Sequence, residues 1–175
     1  MMQNLSADEV ISNWLPEPKE LASRLIEKYG QPNEMSTNML VWYNNGPWKR
    51  TVLHNEELPH NSPKPHTDML ENVIDYQVPP KRASDLDMFD GSVIFDRTAG
   101  EMWARCDNEA MNMLALNLAN DVITGKRSVE DARMEYGKQA MARMMGQSAP
   151  YTESLQFMVP HGGTADPDQP VVKAA

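Results

Sequence analysis

Apolar positions in the first thirty residues recur three and four apart, the spacing of a helix with one buried face. Ser6-Ala-Asp-Glu9 is a capping-box pattern, which predicts a short helix from Ala7 to about Leu15. Pro16 and Pro18 interrupt it. Pro18 suits the first turn of a second helix, where its missing N–H costs nothing. Leu21, Leu25 and Tyr29 form the stripe of that helix, with Ala22 and Ile26 beside it, and Gly30 and Pro32 end it.

The period then falls to two. Met39 to Tyr43 and Trp48 to His54 are rich in strand formers, and Asn44-Asn45-Gly46-Pro47 between them is a turn signal, so a β-hairpin is expected. Glu56 to His66, with Pro59, Pro63 and Pro65, reads as a stiff extended loop. Asp68-x-x-Glu71 reads as the cap of a short helix carrying Met69, Leu70, Val73 and Ile74. Ile74, Tyr76 and Val78 alternate as a short strand, and Ser84-x-x-Asp87 starts one helical turn. A second hairpin is expected from Ser92 to Phe95 and Glu101 to Arg105. Asp107 reads as the cap of a helix over Asn108 to Thr124, apolar round so much of its circumference that it should be packed on two sides. Gly125 stops it. Ser128-Val-Glu-Asp131 caps a last helix carrying Val129, Ala132, Tyr136, Ala140 and Met144.

This order predicts an α+β fold: an antiparallel sheet built from two β-hairpins, with helices packed on one face and a C-terminal helix pair. Residues 1–145 are expected as a single domain. Residues 146–175, rich in Gly, Pro, Ser, Asp and Gln, are expected as a flexible C-terminal tail.

Composition narrows the function classes. A net charge of −9 disfavours phosphate backbones and anionic lipid as partners, so neither nucleic acid nor membrane is expected. The N-terminus has neither the basic start nor the apolar core of a signal peptide, and the single cysteine cannot form an internal disulfide. A cytoplasmic protein is the expectation. Phosphate-binding loops, dinucleotide fingerprints, serine-hydrolase elbows and paired zinc cysteines are absent from the sequence.

The chemistry gathers between Trp42 and Glu71, which holds three of the four histidines and two of the four tryptophans. Trp42, Tyr43, Asn45, Trp48 and Arg50 could form a face that stacks a ring or holds an anion. The plainer reading is a structural hairpin whose aromatics fill the core. His60, His66 and Asp68 offer two imidazoles and a carboxylate, ligand types for Zn, Mn or Fe. His54 or Glu71 could complete the set. Against this stands a surface loop with Asp68 as helix cap. Cys106, beside Arg105 and before a helix, could be a nucleophile, although Asp107 opposes a thiolate and a small buried hydrophobe is the plainer role. Asp96, Arg97, Glu101 and Arg105 read as cross-strand ion pairs.

Over WYNNGPWKRT, PHNSPKPHTDMLE and FDGSVIFDRTAGEMWARCDNEAMNMLALNLANDVITGKRSVEDAR, the chain resembles a family of bacterial conserved hypothetical proteins. The similarity runs from about Leu25 to Tyr136. It implies a bacterial, cytosolic, single-domain protein and carries no mechanism. The sequence therefore favours a non-catalytic binding or accessory domain for a protein or small-molecule partner, with the helix pair able to close a homodimer. The alternative is a metal-dependent hydrolase, with His60, His66 and Asp68 holding a divalent metal ion, the one cofactor the sequence offers.

Overall fold

The strand formers between Met39 and Asp75 build three consecutive antiparallel strands in the computed structural model, which describes residues 6–172. They are β2 (Met39–Asn45), β3 (Trp48–His60) and β4 (His66–Asp75); a short β1 (Glu34–Ser36) precedes them. The second hairpin, β5 (Val93–Asp96) and β6 (Glu101–Cys106), joins through β6 to β4. One six-stranded sheet results, in the order β1-β2-β3-β4-β6-β5. The helices are α1 (Ala7–Ile11), α2 (Pro16–Tyr29), α3 (Ala83–Phe89), α4 (Glu109–Thr124) and α5 (Val129–Met144). The expected α+β architecture is present.

Register explains why the helices lie where they do. Leu40, Leu53, Leu70 and Cys106 are aligned across four strands, and Trp42, Thr51, Asn72 and Ala104 form the next row. Side chains alternate along a strand, so both rows share one face. At the β2 end this face is covered by α1 and α2, through Ile11, Trp14, Leu21 and Leu25. At the β6 end it is covered by α4 and its partner α5, through Leu114, Leu118, Ala132 and Tyr136. A buried polar chain ties α4 to the sheet: Asn112 donates to the Asn72 side chain (2.7 Å) and the Leu70 carbonyl (2.9 Å), and Asn72 and Asn45 both donate to Thr51.

Two local expectations fail in the centre of the sheet. Glu56 to His66 is a loop only in part: β3 continues to His60, with Leu58, Pro59 and His60 opposite Asp68, Thr67 and His66, and residues 61–65, with Pro63 and Pro65, form the turn to β4. Its pairing with β2 ends at His54 opposite Met39. Beyond that point β3 has a free edge, where proline is tolerated. Asp68 to Glu71 does not open a helix either. It lies within β4, where Asp68, Met69, Leu70, Asn72, Val73 and Ile74 are all buried, because this central strand is covered on both sides. At α4 the side-chain cap is Asn108, not Asp107.

The segment expected as a flexible tail is held to the body at several points between Pro150 and Asp168, and its residues 173–175 lie outside the described residues. Asn117 donates to the carbonyls of Tyr151 (3.0 Å) and Ser154 (2.8 Å) and accepts from Gln156 N–H (2.7 Å). Thr164 donates to the Gly100 carbonyl at 2.7 Å. Gly100 has φ +70, and a Cβ there would stand 2.3 Å from the Thr164 carbonyl carbon, so only glycine allows this approach. Among the described residues no helix is long and apolar enough to cross a membrane.

On the face away from α2 and α4, Arg50 grips Glu101 with two bonds of 2.8 and 2.6 Å, and Lys49 adds a third at 2.9 Å. Arg50 first, with Lys49, holds the Glu101 carboxyl at about 2 against the opposing pull of burial. Between pH 4.5 and about 2 the unfolded chain takes a proton that the folded chain refuses. The stabilisation is therefore complete above that window and lost as pH falls through it. A Glu101→Gln variant should melt below the wild type at pH 6, with the gap closing by about pH 2. A gap constant from pH 6 to 2 would contradict the ion-pair assignment.

Candidate metal centre

The extension of β3 and β4 is what makes a site. His60 and His66 are direct cross-strand partners, and Asp68 lies two residues further along β4 on the same side. Their rings stand 4.9 Å apart, tilted by 52°. Asp68 is 4% exposed, with one oxygen 3.0 Å from His60 Nδ1 and the other 2.9 Å from His66 Nε2. One ligand atom from each residue lies within 4.8 Å of the other two, an arrangement that can hold a metal ion.

The hydrogen-bond pattern around the three groups is incomplete. His66 Nδ1 lies 2.7 Å from the Lys64 carbonyl. A carbonyl only accepts, so Nδ1 carries a proton, and Nε2 is the nitrogen left to face Asp68 Oδ1 and the Cys106 sulfur. His60 Nδ1 and Asp68 Oδ1 are both buried without a hydrogen-bond partner. Two ligands about 2.0–2.1 Å from a common ion in tetrahedral geometry are themselves about 3.3 Å apart, a little wider than the 3.0 and 2.9 Å seen here. The bond from His66 to a backbone carbonyl is the support that metal-bound imidazoles ordinarily have.

The surroundings are buried and acidic. Asp90, 5% exposed, accepts from Ser92 N–H and Oγ, and its Oδ1 lies 3.8 Å from His60 Nε2. Burial pushes the Asp68 carboxyl up, His60 and His66 pull it back, and Asp90 adds to the upward push. Cys106 is buried, with its sulfur 3.4 Å from His66 Nε2 and 3.5 Å from Asp107 Oδ1. Burial first, then Asp107 and Asp68, push its thiol well up. It is a neutral donor to its neighbours, not a poised nucleophile. Arg105, the cation that might have activated it, is turned to Glu56 and Glu71 instead. His54 and Glu71 do not complete the ligand set but face each other at 3.2 Å.

The candidate face on the first hairpin is not gathered in one place. Trp42 is buried in the core under α2, where its indole donates to the Gly30 carbonyl (2.9 Å). Trp48 is buried in the core under α4. Asn45 is buried and bonded to Thr51, Arg50 is engaged by Glu101, and Tyr43 is exposed. The contributions of Asp90 and Cys106 were not legible in sequence: Asp90 sits beside a glycine at a chain break, and only the β4–β6 pairing brings Cys106 to His66. No family model, curated protein or solved structure matches the chain.

Proposed function

We propose that the chain is a metal-dependent hydrolase, with His60, His66 and Asp68 holding a divalent transition metal. The observation that carries the reading is the convergence of the three groups: one ligand atom from each lies within 4.8 Å of the other two, His60 Nδ1 and Asp68 Oδ1 are buried without a hydrogen-bond partner, and His66 Nδ1 is tied to a backbone carbonyl, which leaves Nε2 for an ion. This convergence, which the sequence leaves open, favours the metal over the binding-domain reading.

Three protein ligands leave positions for water, and an ion of this kind lowers the pKa of bound water to near neutrality. Asp107 lines the same cleft as His66 and accepts from the Asn108 side chain at 2.6 Å. Cys106 keeps its proton and stays outside the ligand set.

The test is chelator-treated chain, dialysed and reloaded separately with Zn, Mn or Fe(II), then assayed on a panel of alkyl, aryl and phosphate esters. Turnover should appear with at least one metal and be absent from the stripped chain and from His66→Ala. A loaded chain whose turnover matches that of His66→Ala across the panel would return the binding-domain reading to first place.

A further inference from the structure

Beside the proposed metal centre, the β3–β4 turn, the start of α4 and the second half of α5 enclose a cleft of about 230 Å³, with His66, Cys106 and Asp107 on its wall. Three features of this cleft have no structural explanation. The first is Gly137, in the interior of α5, where glycine is destabilising relative to alanine. Gly137 does not need positive φ, since it is not among the glycines with that conformation. It makes no close approach either: an added Cβ would meet nothing within 4 Å. The missing side chain leaves space, and Gly137 lines the cleft.

The second feature is a pair of cations. Lys64 and Arg143 both line the cleft. In a chain of net charge −9, most described Lys and Arg residues have acid partners. Neither of these two takes part in an ion pair among the described residues. The nearest polar contacts are Lys64 Nζ to Met144 Sδ at 3.5 Å and Arg143 Nη1 to Thr152 Oγ1 at 3.4 Å. The third feature is the pair Met141 and Met144, both more than half exposed, which line the cleft beside Met111 and Ala140, themselves packed into the core. Methionine at such a surface adapts to an apolar ligand.

We infer that this cleft binds a small amphipathic anion: an apolar chain along the methionines and over Gly137, and an anionic head between Lys64 and Arg143. A guanidinium and an ammonium together suit a carboxylate, the first by its planar fork and the second as a point charge. The volume, slightly below the usual range for ligand sites, limits the chain to about eight carbons. The inference rests on the metal reading for what becomes of the ligand, because the cleft reaches the metal centre at His66. It names the substrate class as small esters or amides carrying such an anionic, apolar portion. Binding itself does not require the metal.

Octanoate is the probe, titrated calorimetrically into chelator-treated full chain, with 1-octanol as its uncharged counterpart. Octanoate should saturate at one per chain and bind at least tenfold tighter than octanol. Gly137→Leu, which fills the cleft, should abolish binding while keeping the wild-type melting temperature or exceeding it. Lys64→Glu/Arg143→Glu should weaken octanoate at least tenfold and leave octanol unchanged, and it keeps the test decisive if Gly137→Leu folds poorly. No saturable octanoate binding, equal binding of octanol, or unchanged binding in the folded variants would overturn the inference. Loss of the metal reading would leave these titrations unchanged. Loss of the cleft reading would leave metal uptake unchanged.

Discussion

Asp68→Asn should leave the metal-free chain at least as stable as the wild type and weaken metal binding by a factor of roughly 100 or more. The two halves of this result come from one cause. Asp68 is buried between His60 Nδ1 at 3.0 Å and His66 Nε2 at 2.9 Å, with Asp90 close by. Without a cation, the buried carboxylate lacks a donor on Oδ1. The amide of Asn has nearly the same shape, carries no charge and can donate to an imidazole nitrogen. Replacement therefore relieves the desolvation of a buried charge, and only the function is lost. If the three residues were instead an imidazolium–carboxylate pair holding the strands together, breaking it would cost about 3–5 kcal/mol. For a chain of this size that is a fall of roughly 10 °C in Tm. Melting curves and metal titrations of the two chelator-treated proteins, run in parallel, distinguish the cases.

Glu109→Ala should produce the largest loss of stability among single polar substitutions away from the site. Glu109 opens α4 and accepts three bonds: from Tyr29 Oη at 2.6 Å, Trp48 Nε1 at 2.7 Å and Lys28 Nζ at 2.7 Å. Lys28 and Tyr29 end α2 and Trp48 begins β3, so one carboxylate joins the two apolar cores where they meet over the sheet. Trp48 is 2% exposed, and Glu109 is the acceptor of its indole N–H. Leaving a buried donor unsatisfied costs about 1–3 kcal/mol. With two donors affected and the helix N-terminus deprived of a negative charge, the expected loss is about 3–4 kcal/mol, or roughly 10 °C in Tm. Glu109→Gln keeps an acceptor oxygen and should lose less than half as much. Equal losses in the two variants would show that charge, not the bond to Trp48, sets the effect.

The parts of the fold legible in sequence are those where local rules and tertiary packing agree. The Ser6 and Ser128 caps, the Gly125 stop and the Asn-Asn-Gly-Pro turn each act over a few residues. The all-round apolar character of α4 follows from its place between the sheet on one side and α5 and the Tyr151 segment on the other. The failures lie where tertiary context decides. Pro63 and Pro65 do lie in the turn between β3 and β4, whereas Pro59 sits within β3, where the edge past His54 is not paired with β2. Asp68-x-x-Glu71 imitates a cap, while Met69, Leu70, Val73 and Ile74 are buried on both sides of a central strand, a pattern whose periodicity does not separate strand from helix.

The site suffered from the same errors. His60, His66 and Asp68 were nameable from their chemistry, but a loop gives no reason for them to meet, and a helix cap would have occupied Asp68. Once β3 and β4 are extended, cross-strand pairing supplies the meeting point. Asp90 and Cys106 arrive through contacts of long sequence separation. The composition of the last thirty residues resembles that of a flexible tail, yet Asn117, Gly100 and Arg97 hold the segment through bonds spread over α4 and the second hairpin.

The most direct test of the central claim is the metal content of the full chain purified without a metal-affinity step, stripped with chelator, and equilibrated by dialysis against Zn, Mn and Fe(II) in turn. The expected result is one ion per chain for at least one of these metals, lost in both His60→Ala and Asp68→Asn while the fold is retained. No stoichiometric uptake of any of them, or uptake that persists in both variants, would contradict it.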